Sequence, residues 1–193
     1  MAKKTKDKDS ALFGAITRGK KHPKSDDVGG MLSTLKGAGL SMKAIAKRMG
    51  RGESTVRNWF SGKSKPKPEN LKKIQETVAK APEVRKQALS PLREQRMRNQ
   101  GSYFRMSAKI GSKSPGSGFN GRERTIGGDA DKPIYLEPDQ ISAILDAYNN
   151  GDDAGAMQAL EDALGDQYYG GIRFEEVTSM EFIRDYGGER PEM

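Results

Sequence analysis

Apolar residues recur with a helical period over most of the first hundred positions, and with a period of two shortly afterwards. Met31, Leu32 and Leu35 share one face of a helix expected over Val28 to Lys36. Ile45, Ala46 and Met49 stand at i, i+1 and i+4, the inward face of a second, short helix. Gly50 follows Ala46 by four, where a turn needs a residue free to take positive φ. Val56 and Trp59, three apart, predict a third helix. The loop Ser61-Gly-Lys-Ser-Lys-Pro-Lys-Pro is basic, and Pro66 and Pro68 keep it extended. Pro68 and Glu69 open a helix with Leu71, Ile74 and Val78 on one face, which Pro82 stops. A very basic helix is expected over 83–100, broken or kinked at Pro91.

After Gly101 the period changes. Tyr103, Arg105, Ser107 and Lys109 alternate with Phe104, Met106, Ala108 and Ile110, which reads as a strand. Gly111 to Gly121 is a Gly/Ser-rich loop, with further strands at Arg122 to Ile126 and Ile134 to Leu136. Glu137-Pro138 opens a helix with Ile141, Ile144, Leu145 and Tyr148 inward. Asp152 caps another, carrying Met157, Leu160 and Leu164. A strand at Ile172 to Val177 and a final segment Met180 to Tyr186 follow. The fold class is α+β: an all-helical front domain, then a short sheet with two helices. The expected division is a flexible basic arm over 1–25, a helical domain over 26–81, a basic helical linker over 82–100, an α+β domain over 101–187, and a tail over 188–193.

Residues 41–60 read as a helix-turn-helix, whose dominant use is to lay its second helix in the DNA major groove. The bland reading is a helical hairpin whose apolar residues are only core. Docked conventionally, Val56 and Trp59 stay inside while Glu53, Ser54, Arg57 and Asn58 face outward. Arg57 suits a guanine edge, and Asn58 an adenine edge or a phosphate. The DNA-contacting set is expected to be Arg51, Glu53, Ser54, Thr55, Arg57, Asn58, Lys63, Lys65 and Lys67. Arg51 stands in a slot usually given to a small apolar residue, so either the turn is looser here or Arg51 reaches for phosphate.

Charge sharpens this picture. The 193 residues carry a formal net charge of +8, but residues 127–193 hold only 4 basic against 16 acidic side chains, leaving the first 126 with 30 basic and 10 acidic. A basic front half is the footprint of a polyanion binder. The acidic rear is expected to meet a basic partner or to fold back on the basic half. Cysteine is absent and a reducing, cytoplasmic setting close to the nucleoid fits. No apolar run reaches membrane-spanning length. The first ten residues lack the apolar stretch of a signal peptide. The lone His22 offers neither a metal set nor a His-based triad, so no cofactor is expected.

Several segments, in order, are similar to the telomere-capping terminal proteins of Streptomyces-type linear replicons. They are Pro23-Lys24-Ser25, Lys43-Ala44-x-Ala46, Gly50, Thr55-Val56 and Lys65-Pro66-Lys67-Pro68-x-x-Leu71 in front. Ala108-Lys109-Ile110-Gly111, Leu136-x-Pro138, Asp146-Ala147 and Tyr168 continue the resemblance behind, so that it runs over about residues 11–186. The resemblance implies a protein that binds telomeric DNA ends, duplex or single-stranded, and primes their filling through a side-chain hydroxyl that stays joined to the 5′ phosphate. A DNA polymerase and a telomere-associated protein are the implied partners. A threonine is the acceptor in that family, and Thr125 is the candidate here, with Arg122 and Arg124 as possible holders of phosphates. A different alignment places Pro133 at that position and leaves Tyr135 or Ser102. The longer lysine-rich front and Arg51 depart from the family pattern. The alternative function, resting on the helix-turn-helix alone, is a repressor-type transcription regulator of a plasmid or phage, with the acidic domain dimerising.

Overall fold

Two apolar clusters, one wholly helical and one built on a sheet, organise the chain. The computed structural model describes residues 8–19, 27–112, 122–127, 133–165 and 172–183. The first cluster belongs to α2 (Val28–Gly37), α3 (Met42–Met49), α4 (Glu53–Phe60) and α5 (Pro68–Lys80). Met31, Leu32, Leu35, Ile45, Val56, Trp59, Ile74 and Val78 fill it. Local signals start these helices. The Asp27 carboxylate accepts from Gly30 N–H at 3.0 Å, Ser41 Oγ accepts from Ala44 N–H at 3.1 Å, and Pro68 occupies the first turn of α5.

The second cluster surrounds β1 (Ser102–Ser112), the hub of a four-stranded antiparallel sheet. One side of β1 pairs with β4 (Ile172–Ile183) along its length. The other pairs with β2 (Arg122–Ile126) opposite 106–110 and with β3 (Ile134–Leu136) opposite 102–104. Phe104, Met106 and Ala108 are buried in one cluster with residues of α1 (Lys8–Ile16), α8 (Pro138–Asn149) and α9 (Asp153–Gly165). The alternate residues of β1 face solvent, where Arg105 pairs with Glu181 at 2.8 Å and Lys109 with Glu176 at 3.2 Å. The α+β class, the strands at 122–126 and 134–136 and the inward faces of α8 and α9 agree with the pattern of the sequence.

Four features differ from it. Residues 8–16, expected within a flexible arm, form α1, which buries Ala11, Leu12, Phe13, Ala15 and Ile16 against the sheet domain. Its lysine flanks hide an apolar run long enough to pack. Residues 1–7 and 20–26, with His22 and Pro23-Lys24-Ser25, lie outside the described residues.

Secondly, the segment expected at 172–177 and residues 180–183 of the one expected at 180–186 are one strand, β4, while residues 184–186 lie outside the described residues. Register shifts opposite Ser107/Ala108 and Lys109/Ile110 insert extra residues, so Glu175 and Glu176 are both exposed and the alternation breaks. Its outer edge is closed by side chains: Phe174 N–H donates to Glu161 Oε1 at 2.8 Å, and the Phe174 carbonyl accepts from Lys8 Nζ.

Thirdly, the expected basic linker is two packed helices, α6 (Pro82–Ala88) and α7 (Pro91–Gln100). Arg93 is buried and donates to the carbonyls of Ala15, Ile16 and Phe182, satisfying the end of α1 and the edge of β4. Burial, with the nearby cations Arg18 and Arg96, pulls its guanidinium down to about 10. Arg85 is fully buried and ties the helical cluster to α8 and α9. Arg98 pairs with Glu94 and Asp146 at 2.9 and 2.8 Å. These arginines face inward or toward carboxylates. The acidic rear folds back on basic residues of 85–109, one of the two arrangements its charge allowed.

Fourthly, Gly111 and Ser112 belong to β1; residues 113–121 of the expected loop, Tyr168 and the tail 188–193 lie outside the described residues.

Candidate nucleic-acid interface

The interface is built by α3, α4 and the turn between them. Gly50 takes φ 62° and ψ 39°, the left-handed conformation the turn requires, and its N–H and that of Arg51 close on the carbonyls of Lys47 and Ala46. Ile45, Ala46 and Met49 face Val56 and Trp59 across the turn, all buried. With that face fixed by packing, the 3.6-residue period sends Ser54, Arg57, Asn58 and Ser61 outward, and all four are exposed. Glu53 and Thr55 are half-buried.

Arg51 is exposed, but its guanidinium is turned along the protein. Nε donates to Asn70 Oδ1 at 2.9 Å and Nη2 stands 3.8 Å from Glu69. An arginine fits this slot because it pins the turn to the start of α5. Arg57 folds back on Glu53 one turn earlier, at 2.5 Å. Lys63, Lys65 and Lys67 are exposed on the loop after α4, and among the described residues no carboxylate pairs with them. They make an exposed cationic edge next to the outward face of α4.

A shallow depression of about 430 Å³ sits beside that face, lined among others by Lys36, Met42, Asn58 and Phe60. Lys36 Nζ stands 5.1 Å from the centre of the Phe60 ring. Reading the sequence missed Lys36 and Phe60, because Lys36 comes from α2, which only the tertiary fold brings alongside the end of α4.

The helix-turn-helix family model matches residues 33–83. Residues 33–83 are a helix-turn-helix DNA-binding domain. The domain takes in α3 to α5 with the second half of α2, and its boundary at Glu83 falls just before Arg85. Neither curated proteins nor solved structures yield a match to the chain. Among the described residues no helix is long and apolar enough to cross a membrane.

The candidate acceptor lies away from the helix-turn-helix domain, on β2. Thr125 is exposed, faces Ser107 across the sheet, and its Oγ1 stands 3.2 Å from Ser107 Oγ. Arg124 pairs opposite Ala108, so strand alternation puts it on the other side of the sheet from Thr125. Arg124 is therefore not beside the Thr125 hydroxyl, contrary to the expectation from adjacency. Of the other two candidates, Tyr135 donates its hydroxyl to the Gln100 carbonyl at 2.6 Å, and buried Ser102 donates to Ile183 O at 3.2 Å.

Proposed function

We propose that this protein is a sequence-specific duplex-DNA-binding regulator of repressor type, in which α4 enters the major groove and Ser54, Arg57 and Asn58 read base edges. The observation that carries this reading is the division of α4 between a buried Val56–Trp59 face and an exposed polar face. Lys63, Lys65 and Lys67 contact the phosphates beside the groove, and Glu53, Thr55 and Arg51 border it. Two copies bind together, each presenting one α4. Selection of duplexes from a random pool, followed by footprinting, should yield a palindrome with half-sites about one DNA turn apart. Protection confined to the ends of a linear replicon would overturn it.

A second reading follows from the exposed Thr125 hydroxyl together with the order of segments shared with terminal proteins. Here the domain holds a telomeric end while a partner polymerase, supplying the metal ions, joins the first nucleotide to Thr125. Nuclease-digested protein isolated from cells should then carry a nucleotide on the peptide containing Thr125 by mass spectrometry. Unmodified peptide in full yield would exclude this reading.

A further inference from the structure

We propose that Glu53 is a specificity-positioning residue, which holds Arg57 so that the pair reads one guanine. This inference rests on α4 entering the major groove. Nε and Nη2 of Arg57 both donate to a single carboxylate oxygen, Glu53 Oε1, at 2.9 and 2.5 Å. That arrangement occupies the side edge of the guanidinium fork and, among the described residues, leaves its terminal edge, Nη1 and the second Nη2 hydrogen, unengaged. Two parallel N–H groups are what guanine O6 and N7 accept in the major groove.

Glu53 is well placed to act as the fixed partner. It sits in the first turn of α4, where the helix N-terminus favours a carboxylate, and it is less exposed than Arg57. Holding Arg57 before DNA arrives reduces the side-chain freedom lost on binding. The same carboxylate repels the phosphates of any duplex. Glu53 thus lowers affinity for unrelated DNA while it sharpens recognition of the right base, in contrast to Lys63, Lys65 and Lys67, which attract every sequence alike.

The test uses the full chain and a duplex obtained by selection, with a version carrying 7-deazaguanine, which lacks N7, at each guanine in turn. Fluorescence anisotropy gives the ratio of affinities. The unmodified protein should discriminate at one guanine by about tenfold, and Arg57→Ala and Glu53→Ala should each abolish most of that ratio. Glu53→Ala should also bind an unrelated duplex more tightly, an effect that loss of structure would not produce. Discrimination lost in Arg57→Ala but intact in Glu53→Ala overturns the proposal and leaves the groove assignment standing. Discrimination intact in Arg57→Ala overturns the groove assignment itself. Circular dichroism checks the fold, and if Glu53→Ala unfolds, Glu53→Gln decides: a lowered ratio supports the proposal and an unchanged one overturns it.

Discussion

Arg85 Nη2 lies 2.6 Å from Asp153 Oδ1, a pairing across 68 positions of sequence that joins the DNA-binding half to the sheet half. The same guanidinium donates through Nε to Ala79 O at 2.7 Å and through Nη1 to Tyr148 O at 3.1 Å, and stands 4.8 Å from the Tyr148 ring centre. A charge with no solvent exposure is tolerable because each engaged N–H finds an oxygen and the carboxylate neutralises it. The consequence is mechanical: α5 and α6 are tied to α8 and α9.

Arg85→Ala should therefore destabilise the whole chain by about 3–5 kcal/mol, because it strands the buried Asp153 carboxylate and two carbonyls. Urea denaturation followed by circular dichroism checks this. Arg85→Lys should restore little, since an ammonium cannot span the three oxygens that the planar fork reaches.

Gly151 and Gly50 both have positive φ, 78° and 62°, but in different surroundings. A Cβ at Gly151 would collide with the carbonyl of Lys80, whereas at Gly50 it would meet open space. Gly50→Ala should cost only the backbone strain, about 1–2 kcal/mol. Gly151→Ala adds a clash between the two halves and should lower the melting temperature further. Equal shifts in thermal unfolding would show that the halves separate readily there.

On DNA, Arg57→Ala should lower affinity for the selected site by about 1–3 kcal/mol and relax the preference at one base. Lys65→Ala should instead weaken all duplexes alike and reduce the slope of log affinity against log salt by about 0.9. Titrations at several salt concentrations separate the two behaviours.

Arg48 grips Glu83 through both carboxylate oxygens, at 3.0 and 2.6 Å, and this hydrogen bonding holds the Glu83 carboxyl below its ordinary 4.5. A depressed folded value means that the pair stabilises the protein above the unfolded pKa and that this contribution fades as pH falls through the folded one. Glu83→Gln should cost at most about 1 kcal/mol at neutral pH, because both side chains are over a third exposed. The difference from the unmodified protein should vanish as acid denaturation is approached, measured by melting at stepped pH.

Local pattern carried most of the secondary structure and the inner face of the interface. Ile45, Ala46, Met49, Val56 and Trp59 show at helical spacing which side is packed, and Gly50 marks the turn. The alternation at 103–110 marks β1, although its three partner strands and their register come only from long-range pairing. The continuity of β4 was hidden because bulged residues break the period of two that identifies a strand. The inward packing of α1 was hidden because charge in its flanks dominates the composition.

The roles of the arginines mark the boundary between chain and fold. Composition established a basic front half, an acidic rear and a helix-turn-helix at 41–60, all local properties of side-chain type and spacing. Whether a given guanidinium is buried like Arg85 and Arg93 or clamped along the surface like Arg51 was decided by tertiary structure alone, whereas Arg57 meets Glu53 within a single helix turn. The reason is physical: a guanidinium takes its function from the oxygens that meet its five N–H groups, and for Arg85 and Arg93 those oxygens lie on segments up to 89 positions away.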